Sequence, residues 1–265
     1  ARSATPAIAM RGYGKDEDEV HRRLNPGVPV IVNANRTAAV IEAKVHGADV
    51  VVLDDAFQHR RMARNADIVL LSVEQLMRPR RLLPSGPWRE HLSAAKRADL
   101  IVLTRKSASA GDAEKSRQLV QKEVPRIPMA VVHLAARDLV DTADGARQPL
   151  ERLRGASVLA IAAIGEPALF QRQLEDLGAD VTLAAYRDHH KFTDAEIRSL
   201  AQHVPRDGLA LCTLKDAVKL SGRWPGPSRL WYVSQDLVVE QGVEELNRLL
   251  KRVLDARATA AITAG

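Results

Sequence analysis

The stretch VVLDDAFQHRR, Val51 to Arg61, carries an apolar run straight into two adjacent aspartates. With Val50 it gives four consecutive aliphatic residues, Val50 to Leu53, and an uninterrupted run of this kind reads as a strand covered on both faces in a parallel sheet. In open α/β sheets ligands bind in the crevice outside the carboxyl ends of the strands. Asp54 and Asp55 stand at such an end, and hard carboxylate oxygens suit Mg²⁺, which is usually held by one or two carboxylates plus substrate phosphates. The dipeptide alone serves equally as a strand-end pair that caps the next turn.

The pattern around it repeats. Strand-like runs fall at 7–10 (AIAM), 28–32, 50–53, 68–71, 100–103 and 129–134, with helix-like stretches at 16–24, 36–47 and 111–124 between them. This βα alternation predicts an α/β fold with a mostly parallel sheet. A second, smaller α/β unit begins near 151–165, with helices over 167–177, 193–204 and 240–256 and strands over 181–186, 209–213 and 230–234. The turn-rich RDLVDTADGARQPLE, 137–151, reads as the boundary, giving domains 1–150 and 151–256 and a frayed tail at 257–265. Glycines, acids and bases follow the strands at 7–10 (RGYG), 50–53 (DD) and 100–103 (TRK), and these three ends are expected to share one anion and metal site.

Downstream of the aspartates, Gln58, His59, Arg60 and Arg61 set amide, imidazole and guanidinium groups beside two carboxylates, and the planar guanidinium fork suits phosphate oxygens. RPRRLLPSGPWREHL, 78–92, mixes basic and aliphatic side chains as an anionic amphiphile requires, or is an ordinary excursion loop. Within it Glu90 is a further carboxylate for a metal. In YRDHHKFTDAEI, Asp188, His189 and His190 precede a helix capped by Thr193, with Glu196 completing a capping box. An acid beside imidazoles is a proton-handling unit, and equally a hydrogen-bonded loop. Lys215, at a strand end in TLKDAVKL, meets a phosphate or lies on the surface.

The 265 residues carry a net charge of +6, 46% hydrophobic residues and 3% aromatics. The charge attracts polyanions, but the bases are dispersed and stacking aromatics are scarce, which argues against nucleic acid as the partner. The single cysteine, Cys212, excludes an intrachain disulfide or a cysteine zinc cluster and suits a reducing compartment as a small core residue. No apolar run reaches the length of a membrane span. The chain opens on Ala1 with a strand close behind, so upstream sequence is expected.

A search for GxxxxGK[ST] fails; RGYGKDED, 11–18, lacks both the spacing and the Ser/Thr. Yet RGYG, LDDAFQHRR, RLLPSGPWRE, ADLIVLTR, IAAIGEPALF, RDHHKF and TLKDAVK occur in an order that resembles the tetraacyldisaccharide 4′-kinase family, from about Pro6 to Leu250. The resemblance implies a P-loop-NTPase-like fold. It implies ATP and Mg²⁺, and phosphorylation of the 4′-hydroxyl of a tetraacylated glucosamine disaccharide 1-phosphate in lipid A biosynthesis. It also implies peripheral attachment to the cytoplasmic face of the bacterial inner membrane.

By position, Asp54 and Asp55 resemble the family's Walker B pair, Glu90 a supplementary magnesium acid beside Arg89, and Asp18 and His189 its proton-handling dyad, with a register shift at Asp16 and Glu17 left open. Arg89 and the cations near Asp55 would then stabilise the transferring phosphoryl group. Departures from the family pattern are Lys15 for a frequent glycine, Leu214 for a usual glutamate, and a P-loop expected upstream of the first strand, without which ATP would bind poorly. The alternative is a non-catalytic lipid-headgroup-binding paralogue.

Overall fold

The structure is a computed structural model that describes residues 4–12 and 16–263, with side chains through Ala256. Tyr13, Gly14 and Lys15 of the RGYGK element lie outside the described residues. In chain order the elements are β1 (Pro6–Met10), α1 (Glu17–Leu24), β2 (Val30–Val32), α2 (Arg36–Val45), β3 (Val50–Leu53), β4 (Ile68–Ser72), α3 (Val73–Leu76), β5 (Leu100–Arg105) and α4 (Ala110–Glu123). They continue with β6 (Met129–Asp141), β7 (Arg147–Pro149), β8 (Ser157–Ala162), α5 (Pro167–Asp176), β9 (Asp180–Ala185), α6 (Asp194–Gln202), β10 (Leu209–Cys212), α7 (Leu214–Leu220), β11 (Leu230–Gln241) and α8 (Val243–Thr263).

Two compact units result, one of residues 1–11, 31–135 and 236–265, the other of residues 12–30 and 136–235. This partition differs from the expected 1–150 and 151–256, and the reasons lie in specific packing. Residues 137–151 are no linker: β6 runs on to Asp141 and pairs antiparallel with β7, Leu139 opposite Gln148. Residues 12–30 carry α1, which packs on α7. The final helix sets Leu249 against Leu100, Val102, Ala130 and Val132 of the first unit.

In the first unit β2-β1-β3 form a three-stranded sheet in which β1 and β3 are parallel, Ala7 opposite Val51 and Ala9 opposite Leu53. Helix α2 covers it with Ala39 and Ala43 against Ala7, Ala9 and Ile31, a stripe of methyl groups at helical spacing that lets helix and sheet approach closely. Asn35 caps the helix by accepting from the Thr37 and Ala38 N–H groups. Gly47, at φ +83°, ends it in the left-handed region that side chains avoid. The expectation of cover on both faces fails here, because Val52 and Val32 are exposed.

Strands β4, β5 and β6 are parallel neighbours in a different sheet. The end of β5 therefore belongs to a different sheet from those of β1 and β3, and local contacts engage the Arg105 side chain and the backbone that follows it. Arg105 pairs with Glu240. The Lys106, Ser107 and Ala108 N–H groups donate to Glu74 Oε1 at 2.7, 3.1 and 3.2 Å, and Ser72 Oγ donates to Oε2 at 2.8 Å. Burial pushes the Glu74 carboxyl up, but the Lys106 N–H, the Ser72 hydroxyl and the remaining backbone donors outweigh it and hold the carboxyl below the ordinary glutamate range.

A carboxyl depressed in the folded state contributes stability that is present above its unfolded pKa and is lost as pH falls through the lower folded value. Urea midpoints of Glu74→Gln measured from pH 7 downward are therefore expected to start below wild type and to converge on it below about pH 4, under the unfolded glutamate value. A constant gap between the two curves at every pH would contradict this.

In the second unit β11-β10-β8-β9 follow one another with parallel pairing throughout, Ala210 lying between Leu159 and Leu230. The sheet interior is fully buried, and Cys212 on β10 has no exposed surface. Capping fixes the helix that follows the histidines: the Thr193 hydroxyl accepts from the Glu196 N–H, and Glu196 accepts in return from the Thr193 N–H at 2.7 Å.

Candidate active site

In the first unit the chain leaves β3 with the Asp54 N–H still bonded to the Ala9 carbonyl at 2.9 Å, then turns at Asp55, whose φ of +48° lies in the left-handed region. Outside glycine that region is sparsely used, and aspartate is among the residues that tolerate it. Arg36, only 5% exposed, clamps the corner from behind: Nη2 donates to the Asp54 carbonyl at 2.9 Å and to the Asp55 carbonyl at 3.2 Å.

The turn throws the Asp55 carboxylate outward, where Arg89 Nη1 donates to both of its oxygens, at 2.9 and 2.8 Å. Both side chains are substantially exposed, so the pair is weak and open to exchange for a stronger anion or cation. Gln58, His59 and Arg60 follow in an exposed turn closed by the His59 N–H on the Ala56 carbonyl and by Arg64 on the His59 carbonyl.

Glu90 is paired within the same unit. Arg97 Nη2 donates to its two oxygens at 2.8 and 3.2 Å, and Arg97 itself lies over the Phe57 ring, 4.5 Å from its centre. Arg89 and Glu90 stand in a bend, from which Arg89 reaches Asp55 while Glu90 meets Arg97. Among the described residues no group of three or more His, Cys, Asp or Glu side chains is assembled to hold a metal. Two hard-oxygen donors at Asp54 and Asp55 nonetheless match the small protein share of a magnesium–phosphate site.

In the second unit the histidine pair divides. His189 has φ +58°, and this left-handed residue sends consecutive imidazoles in different directions. His190 enters an aromatic cluster, stacked on Tyr186 at 4.7 Å and edge-on to Phe192, with Nε2 3.1 Å from Glu196 Oε1. Its role is structural.

His189 faces the start of α1. Its Nδ1 lies 3.1 Å from Asp16 Oδ1, and its Nε2 lies 3.1 Å from the Lys215 ammonium. An ammonium only donates, so Nε2 is the acceptor and the Nδ1–H donates to Asp16. The expected partner, Asp18, is instead engaged by Arg22 Nη1 at 2.6 Å, one helical turn on. Two residues along a helix is a rotation of about 200°, so Asp16 and Asp18 cannot serve the same neighbour.

Lys215 therefore sits among groups of this unit, 3.4 Å from Asp188 and 3.6 Å from Glu17 as well as beside His189. Burial works to raise the pKa of the Asp16 carboxyl. The hydrogen bond from His189, its own backbone N–H and the cations Lys219 and Lys215 outweigh that and hold it below the ordinary aspartate range.

Sequence reasoning left the register of one participant open, Asp16, and passed over two others, Arg36 and Lys219. Asp16 is the residue before α1 and shows only as one of four acids in a row. Arg36 opens a helix and resembles any first-turn arginine. Lys219 stands three residues after Asp216, the usual spacing of a solvated helix pair, yet it reaches Asp16 at 3.4 Å.

Comparison with known proteins supplies the context. The family model described as LpxK, tetraacyldisaccharide-1-P 4′-kinase, matches residues 14–255. A tetraacyldisaccharide 4′-kinase of Anaeromyxobacter sp. (strain Fw109-5) is 38% identical over 255 residues, covering 94% of this chain and 68% of that protein. Another, of Halorhodospira halophila, is 33% identical over 90% of this chain and 70% of its own length. Among solved structures, that of LpxK from Aquifex aeolicus in complex with ATP superposes with a TM-score of 0.69 at 25% identity, over 94% of this chain and 79% of that one. That likeness agrees with the α/β architecture and mostly parallel sheets seen here and carries the P-loop-NTPase-like fold class. With the family model spanning nearly the whole sequence, the chain belongs to the tetraacyldisaccharide-1-P 4′-kinase family.

Proposed function

We propose that this chain takes part in transfer of the γ-phosphoryl group of ATP to the 4′-hydroxyl of a tetraacylated glucosamine disaccharide 1-phosphate. The observation that carries the reading beyond family membership is the Asp16–His189 pair, an acceptor carboxylate held ionised and aimed by an imidazole whose proton faces it. The hydroxyl oxygen attacks the γ-phosphorus, the bond to the β,γ-bridging oxygen breaks, ADP leaves, and the hydroxyl proton passes to Asp16. His189 orients that carboxylate through Nδ1–H.

Asp54 and Asp55 would hold Mg²⁺, which neutralises phosphate charge when bound. Arg89, a cation already within reach of Asp55, would stabilise charge on the transferring group. Gln58, His59 and Arg60 present donors to phosphate oxygens from the same loop, and Lys215 meets an anionic group of the substrate or nucleotide. Glu90, paired with Arg97 as Asp55 is with Arg89, would be a further carboxylate for the metal.

A glycolipid substrate sets the reaction at a membrane surface, on the side that holds ATP. The net charge of +6 favours peripheral contact with anionic headgroups. No helix of the described residues is long and apolar enough to cross a membrane.

The test is an assay of the natural full-length protein with radiolabelled ATP and tetraacyldisaccharide 1-phosphate in mixed micelles. Labelled 4′-phosphate product and equimolar ADP are expected, both abolished by a chelator and restored by Mg²⁺. Binding of the glycolipid with no product at any Mg²⁺ concentration would establish the non-catalytic alternative instead.

A further inference from the structure

We infer that Lys219, held in place by the buried carboxylate of Asp216, is the positioning residue that fixes Asp16 for proton transfer. The inference rests on the proton-handling role of the Asp16–His189 pair given above and deepens it. Three features of the second unit carry it.

The first is an unused cap. Asp16 precedes α1, where aspartate ordinarily accepts from the N–H groups of the first turn, but it makes no side-chain cap bond. Its carboxylate, 8% exposed, is turned to His189 through Oδ1 and to Lys219 through Oδ2, the latter at 3.4 Å. Oδ2 is buried and has no hydrogen-bond partner of its own, so the Lys219 ammonium is the charge that compensates it.

The second is the anchorage of Lys219. Asp216 has no exposed surface, and every contact it makes is a donor: the Ala163 N–H at 2.9 Å and the Thr213 hydroxyl at 2.7 Å on Oδ2, and Lys219 Nζ at 3.0 Å on Oδ1. Ala163 follows β8 and Thr213 follows β10, so a carboxylate fixed to the ends of two parallel strands fixes the ammonium in turn. Lys219 is 14% exposed, too enclosed for a solvated surface lysine.

The third is the division of labour on α7. Lys215 and Lys219 are one turn apart and bracket the pair, Lys215 at His189 Nε2 and Lys219 at Asp16 Oδ2. The remaining charges against them are Glu17 on α1 and Asp188 in the turn that carries His189, with Asp18 and Arg22 paired to each other further along α1. Lys219 is the cation placed on the carboxylate itself. Removing its charge raises the pH at which Asp16 loses its proton, because an opposite charge this close favours the ionised form.

The experiment uses the full-length enzyme with Lys219→Met, which keeps length and removes charge, Lys219→Arg, which keeps charge, and Asp16→Asn as reference. For Lys219→Met, kcat is expected to fall about tenfold with KM for ATP and for glycolipid within about twofold, the signature of an interaction made in the transition state only. The acid limb of the kcat–pH profile is expected to move up by about one unit, and Lys219→Arg is expected to return the limb to its wild-type position. Should Lys219→Met not fold, as judged by its melting curve, Lys219→Gln carries the same expectation. An unmoved acid limb in the neutral variant, or equal kcat losses in the neutral and arginine variants with no shift, overturns the inference. If Asp16→Asn itself keeps full activity, the proton-handling reading fails first and takes this one with it.

Discussion

Asp16→Asn is expected to lower kcat by about two to four orders of magnitude, the range that a positioned general base contributes. Asparagine keeps the shape of the side chain and still accepts from His189 Nδ1–H, so the fold is expected to survive; what disappears is a group able to take the hydroxyl proton. His189→Ala leaves the carboxylate in place but without its orienting donor, and a loss of similar order is expected. Because the two act as one unit, the double variant should be little worse than either single one.

The informative control is Asp18→Asn. Its carboxylate is half-buried and bonded through Oδ2 to the exposed Arg22 across one helical turn, and such i,i+4 pairs are worth a few tenths of a kcal/mol to about one. Its kcat is expected to stay within about threefold of wild type on that footing. Steady-state assays of the four variants decide between the registers: a dead Asp18→Asn beside an active Asp16→Asn would reverse the assignment.

The second large effect is expected at Asp55. Asp55→Asn tolerates the left-handed backbone, keeps the corner clamped by Arg36 and removes one negative charge. Its kcat is expected to fall by at least about a hundredfold, comparable to deleting a principal electrostatic contributor. The Mg²⁺ concentration for half-maximal rate should rise with it. Asp55→Ala is expected to lose as much activity and also stability, because a Cβ-bearing residue without a local hydrogen bond costs about 1–2 kcal/mol in that conformation. Mg²⁺ titrations and melting curves of both variants separate the two contributions. An unchanged Mg²⁺ requirement in Asp55→Asn would remove the residue from the metal site.

The fold was legible where residue pattern and local chemistry agreed. Val50 to Leu53 reads as a strand and is β3, and Thr193 with Glu196 reads as a capping box and is one. It was not legible where pairing overrode composition. β6 continues through Ala135 to Asp141 and β11 through Asp236 to Gln241, past the end of each apolar run, because backbone ladders need neighbours and not hydrophobic side chains.

The candidate site divides in the same way. Asp55, Arg89 and His189 were visible from their neighbours in sequence. Asp16 was hidden because a run of acids gives no phase: only the direction in which α1 starts decides which of them meets the imidazole. Glu90 stands beside Arg89 in sequence, yet the bend there sends the two side chains to different partners, Arg97 and Asp55. Lys219 was hidden because its partner across the fold, Asp16, lies some two hundred residues earlier in the chain.

Cys212 has a use that its place in the core makes possible. It is the only thiol in the sequence, lies on β10 in the interior of the second unit's sheet, and is pushed well above the ordinary thiol range by burial and by Asp216. A thiol that is both enclosed and protonated does not react in place. At reagent concentrations where alkylation outpaces reclosing, the rate of labelling is therefore the rate at which that sheet opens, a clock for local unfolding of the unit that carries Asp16 and His189, read without introducing a cysteine by mutation.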